Sequence, residues 1–137
     1  MSESARERGE RLLREVDGER VAENLLRAYE GVAPDFTRYL VEFAFGEIYA
    51  RAGDLRQREL VAIASLATMG GCDPQLETHV HGAFNVGLCE AEVVEAVMTL
   101  IPYIGFPRAL SAMAIVKRVV EKRRASAAYP KREHKDL

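Results

Sequence analysis

The chain is poor in the features that mark most functional classes. Among 137 residues there are only two cysteines, Cys72 and Cys89, and no tryptophan. Two thiols do not make a disulfide scaffold, so a reducing cytoplasm is the expected setting and each thiol is there for packing or for chemistry. No run of about 18 consecutive apolar residues occurs, and no membrane-spanning helix is expected. Met1 to Glu10 is charged and lacks the apolar stretch of a signal peptide. Positive charge is not in excess either: the formal net charge is -2, which argues against a nucleic-acid partner. Cations do gather late, at Lys117, Arg118, Lys122, Arg123, Arg124, Lys131, Arg132 and Lys135. No stacking platform of aromatic residues is interleaved with them, so they read as a helix end followed by a solvated tail. Alternating β-branched segments are also missing, and no strand is predicted.

What remains is a helical pattern. Apolar residues make up 48% of the chain and charged residues 29%, the composition of a globular protein. The length suits one compact all-α domain of six or seven helices over residues 1–124, with a polar tail at 125–137. Asp17-Gly18 and Gly31 punctuate the first two helices, predicted near 5–16 and 19–29. A third is expected from Pro34 to Ala52, its inner stripe reading Phe36, Leu40, Phe43 and Glu47 at helical spacing. Asp54 is a suitable N-cap for a fourth helix ending at Met69, with Leu60, Ile63, Ala64 and Ala67 inward and Glu59 at the edge of that face. Gly70-Gly71 separates it from a fifth helix at 74–86, capped by Asp73 and lined by Leu76, Val80 and Ala83. Cys89 and Glu92 have the spacing of a capping box, opening a sixth helix at 90–103. Gly105-Phe106-Pro107 then turns the chain into a last helix at 107–124, marked by Leu110, Met113 and Ala114.

Few side chains offer chemistry. His79 falls beside Leu76 and Ala83 on the inner side of the fifth helix. His81 lies about 200° away at ~100° per residue, so the two imidazoles cannot grip one metal ion, and no metal is expected. His79 is therefore the acid/base candidate, against a purely structural role for a half-buried imidazole. Cys72 precedes the same helix, where the positive end of the helix dipole favours a thiolate; the alternative is a small packed side chain. Glu47 and Glu59 are carboxylates on apolar faces. Glu47 is one turn from Arg51, and Glu59 adjoins Arg58. Each reads either as half of a buried ion pair or as an acid of raised pKa that orients His79.

Several blocks carry a resemblance. They are Gly46-Glu47-Ile48-Tyr49, Arg58 to Ala64, Gly70-Gly71-Cys72, Gln75 to His79, Gly82 to Gly87, and Tyr103 to Pro107. In order and spacing they resemble the carboxymuconolactone decarboxylase-like family over residues 20–122. The resemblance implies an all-helical fold that assembles with itself into rings, commonly trimers or hexamers, and acts on a small molecule. One chemistry it implies is decarboxylation of a small lactone acid without a cofactor, with His79 as proton carrier; in that mechanism Arg51 or Arg58 is expected to hold a substrate carboxylate, and Tyr103 is a further substrate-binding candidate. The other is thiol peroxidase activity, as in alkylhydroperoxidase D, which uses a Cys-x-x-Cys-x-x-x-His motif and an upstream glutamate. Cys72 and His79 match that motif and Glu59 resembles the glutamate, but Gln75 stands in the second cysteine's place. Only Cys89 or an external thiol is then left to resolve a sulfenic acid. The decarboxylase reading leads; a ring-forming protein without catalysis, its interface held by Glu47, Glu59 and His79, is the third.

Overall fold

A computed structural model describes residues 2–126, and every regular element among them is helical. The described chain divides into two compact units, one running to Arg58 and the other beginning at Glu59. Residues 127–137, which include most of the tail read from sequence, lie outside the described residues.

In the first unit, α1 (Ala5–Asp17) starts on a capping box. The Ser4 hydroxyl accepts from the Glu7 backbone N–H at 3.2 Å, and the Glu7 carboxylate accepts from the Ser4 N–H at 2.9 Å. Gly18, at φ 85°, ends α1 and opens α2 (Glu19–Ala28). Arg14 bridges the break by reaching Glu10 on its own helix and Glu19 and Glu23 on α2. Pro34 occupies the first turn of α3 (Pro34–Arg38), where a missing N–H costs nothing. This short helix leads directly into a π-helical segment, Tyr39–Tyr49, wound with wider i→i+5 turns.

The wide winding changes which face is buried. Thr37, Val41, Phe45 and Gly46 point inward, whereas Phe36, Phe43 and Glu47 are exposed. The stripe expected from α-helical spacing is thus displaced by one position, and Glu47 sits on the outer face. Helix α1 crosses this segment at very close range. A Cβ added at Gly9 would stand 2.0 Å from the Val41 carbonyl oxygen, and one at Gly46 would stand 2.3 Å from that of Ala5. The Gly46 carbonyl also accepts from Nε of Arg8 at 2.6 Å.

Helix α4 (Leu55–Met69) has the Asp54 carboxylate accepting from the Arg56 N–H at 2.9 Å, as its sequence predicts. Beyond it, Gly70 and Gly71 both adopt left-handed backbone, φ 69° and 70°, and reverse the chain into α5 (Asp73–Asn85). The N-cap position of α5 is Cys72 rather than Asp73, which already belongs to the helix. Helix α6 (Glu90–Arg124) begins on the Cys89–Glu92 capping box and breaks at Gly105, φ 77° and ψ 167°. The predicted turn before the last helix is that break. By length and composition α6 is apolar enough to cross a membrane, which the count of consecutive apolar residues did not suggest. The helix breaks at Gly105, and Val93 and Val97 before the break and Ile115 and Val116 after it are buried, although only 22% of its most apolar stretch is buried.

The second unit is built on that core. Ile63 and Ala67 of α4, Leu76, Val80 and Ala83 of α5, and both arms of α6 contribute to one buried apolar cluster. In the last arm the buried row is Ala109, Ala112, Val116 and Val119, while Leu110 and Ala114 turn outward. The late cations have a structural use here. Arg118 and Lys122 reach Glu77 on α5, and Arg124 reaches Glu90 at the head of α6.

Candidate active site

Two facing helices bring an acid and a base together. On α4, Glu59, Ile63 and Ala67 follow one another at intervals of four and form the buried row. Glu59 is therefore at the centre of the inner face, not at its edge, and its exposure is 0%. The Gly70-Gly71 reversal sets α5 against it. Leu76, Val80 and Ala83 fill the core, and His79, beside them, presents its ring to Glu59. His79 Nδ1 lies 2.8 Å from Glu59 Oε2, and the histidine side chain keeps 22% of its exposure. The other carboxylate oxygen, Oε1, is buried without a hydrogen-bond partner.

The chemistry of the pair follows from its donors and acceptors. A carboxylate can only accept, so the contact calls for the proton on Nδ1. The proton-exchanging atom is then Nε2, on the far edge of the ring. When Nε2 takes a proton, the imidazolium is offset by a carboxylate already in place and shut off from water. That is the arrangement of a general acid/base whose tautomer and orientation are set by a third group.

The other candidates from sequence are placed as follows. Cys72 is partly buried at the N-cap of α5, and its thiol donates to the Gly70 carbonyl at 3.5 Å. Cys89 accepts from the Glu92 backbone N–H and so acts as a capping side chain. Both cysteines are free thiols, and Gln75 is exposed. Tyr103, on the first arm of α6, is 81% exposed. In the first unit, Glu47 and Arg51 are both exposed, and no ion pair between them is seen among the described residues. Arg58 spends Nη2 on the carbonyls of Arg51 and Ala52, at 3.0 and 3.2 Å, holding the end of the loop before α4. It does not pair with Glu59, whose partner is His79. Among the described residues no three His, Cys, Asp or Glu side chains gather closely enough to hold a metal ion.

His81 is confirmed as pointing away from His79. Its Nδ1 meets Arg123 of α6 at 3.2 Å. The full burial of Glu59 is the feature that sequence reasoning understated. The signal was available in its i, i+4, i+8 alignment with Ile63 and Ala67, an apolar row that a carboxylate joins only with a partner.

Known proteins resemble this chain in sequence. The sequence model of the carboxymuconolactone decarboxylase family matches residues 34–118. The chain is 33% identical over 106 residues to 4-carboxymuconolactone decarboxylase of Acinetobacter baylyi, an alignment covering 77% of this chain and 78% of that one. It is 31% identical over 117 residues to nitrosuccinic acid decarboxylase of Metarhizium robertsii, covering 82% and 78%. A shorter match, 40% identical over 83 residues, joins 59% of this chain to 27% of Peroxisomal protein 2 of Saccharomyces cerevisiae.

Proposed function

Because the chain belongs to the carboxymuconolactone decarboxylase family, we propose that it is a decarboxylase that uses His79 as proton carrier on a small carboxylic acid, a lactone acid first among the candidates. The observation that carries this reading is the 2.8 Å contact between His79 Nδ1 and a carboxylate with no exposure of its own. The family relatives named as decarboxylases support the choice of reaction.

The step balances without a cofactor if the substrate holds its own electron sink. The C–C bond to the departing carboxylate breaks, CO2 leaves, and the electron pair enters a conjugated carbonyl or a nitro group. The carbon that carries the resulting charge then takes a proton from Nε2 of His79, and the ring recovers one from solvent. Glu59 holds the Nδ1–H throughout, keeping Nε2 turned to the substrate and stabilising the imidazolium form of the ring. A lactone acid and nitrosuccinic acid both supply a sink of this kind. For that reason both relatives' substrates are the first to try.

The test is release of CO2 from carboxymuconolactone and from nitrosuccinate, with the unmodified chain and with His79→Ala. Loss of a positioned general acid is expected to lower kcat by about 10²- to 10⁴-fold. Equal rates in the two proteins, or no turnover of either acid by the unmodified chain, would remove the reading.

A further inference from the structure

Helix α5 carries a second imidazole on its other side, and the contacts there form a system separate from the Glu59–His79 pair. One guanidinium, that of Arg123, makes three contacts with α5. Its Nη1 meets His81 Nδ1 at 3.2 Å, its Nη2 donates to Asn85 Oδ1 at 3.1 Å, and its plane lies 5.4 Å over the Phe84 ring. One turn earlier, Glu77 accepts from Arg118 Nη2 at 3.0 Å and Lys122 Nζ at 2.9 Å. Positions 77, 81 and 85 share a face of α5, so Glu77, His81 and Asn85 form a row of acceptors facing the cations of the last turns of α6.

His81 is the member of that row whose residue type has its ordinary pKa close to neutral. A guanidinium can only donate, so Nδ1 must accept, which requires a neutral ring with its proton on Nε2. The charged groups that face it are Arg123 and Lys122 from α6 and Glu77 from α5 itself. Glu77 opposes the two cations, but its oxygens are already shared between Lys122 and Arg118. Burial first, and Arg123 second, hold the His81 pKa below its ordinary 6.5.

We propose that His81 is an acid-operated release for the final turn of α6. Neutral, it latches Arg123 to α5. Protonated, it loses its acceptor atom and sets two cations at hydrogen-bond distance, and Arg123 with the final turn of α6 lets go of α5, while Glu77 keeps Arg118 and Lys122 and Val119 stays packed in the core. The inference does not depend on the activity proposed for His79, and its test needs no substrate.

Backbone amide exchange over residues 122–126 is measured in the full chain from about pH 7.5 down to about pH 5. After correction for the intrinsic pH dependence of exchange, protection there is expected to fall about tenfold on acidification. In His81→Gln, the amide oxygen accepts from Arg123 without titrating, and protection should hold at both ends of that range. In Arg123→Gln, protection should be low at both. Unchanged protection in the unmodified chain would overturn the proposal, as would an equal loss in His81→Gln. Should His81→Gln fail to fold, the NMR titration of the His81 ring decides. Its midpoint should rise toward the ordinary value in Arg123→Gln, and an unmoved midpoint overturns the proposal just as fully.

Discussion

A carboxylate with no exposure, one hydrogen bond and one orphaned oxygen is poor stability engineering. Burying it forfeits hydration that a single contact to His79 does not fully restore. This sets a signature that separates a working pair from a structural one. In Glu59→Met the apolar row of Ile63 and Ala67 would be completed, and His79 is open enough to find water. The melting temperature should hold or rise while activity is lost. Glu59→Gln is expected to act differently on the ring. Its neutral amide cannot offset the charge of an imidazolium as a carboxylate does, so the protonated ring that delivers a proton from Nε2 is disfavoured. A fall in kcat of about 10²-fold or more is expected, with KM little changed. Steady-state kinetics and thermal melts on the two variants check both outcomes; a Glu59→Met that unfolds with activity per folded molecule intact would make the pair structural.

Among the elements, the crossing of α1 on the π-helical segment has the least slack. Gly9 and Gly46 are the points of contact, each facing a main-chain carbonyl rather than a yielding side chain. Gly9→Ala should therefore destabilise by about 1–3 kcal/mol, read by denaturant unfolding, because backbone has to move. The same segment shows what the sequence could convey and what it could not. Several helix ends were legible from a side chain or glycine: Asp54, Gly70-Gly71, the Cys89–Glu92 box and Gly105 act as their positions imply, whereas the cap of α5 is Cys72 and not Asp73. The inward face was legible on α5, at Leu76, Val80 and Ala83, but not on the last arm of α6, where Leu110 and Ala114 turn outward. Nor was it legible at Phe36 to Glu47, because period counting assumes i→i+4 turns and this stretch is wound wider. Ser4–Glu7 carried a capping signature before α1 that the sequence reading did not use. The Glu59–His79 contact was partly legible. Helical phase points each side chain inward, but their meeting depends on the Gly70-Gly71 reversal, whose direction no local spacing encodes.

For the molecule as a whole, two predictions concern its response to acid and its self-association. His81 has a folded pKa below its ordinary 6.5, so its contribution is present above that value and is lost as pH falls below it. Glu77, held below 4.5 by Lys122 and Arg118, contributes above 4.5 and fails at lower pH. The melting temperature should thus decline in two stages on acidification, with His81→Gln removing only the first; one stage at the lower pH in the unmodified chain would contradict this. Self-association into a trimeric or hexameric ring is proposed from the family resemblance, and large apolar side chains left in the open support it. Phe36, Tyr39 and Phe43 are exposed on the first unit, as are Tyr103, Phe106 and Leu110 on the second. Light scattering should return three or six times the 15.3 kDa chain mass, and a monomer at working concentration would end that part of the reading.

A hydrogen held between an imidazole nitrogen and a carboxylate with no contact to solvent exchanges slowly with water. It should stand far downfield of the amide envelope in a one-dimensional proton spectrum. The Glu59–His79 pair thus brings its own reporter, one that needs no label and no reacting molecule. Its resonance should vanish in Glu59→Met and outlast any loosening of the far side of α5.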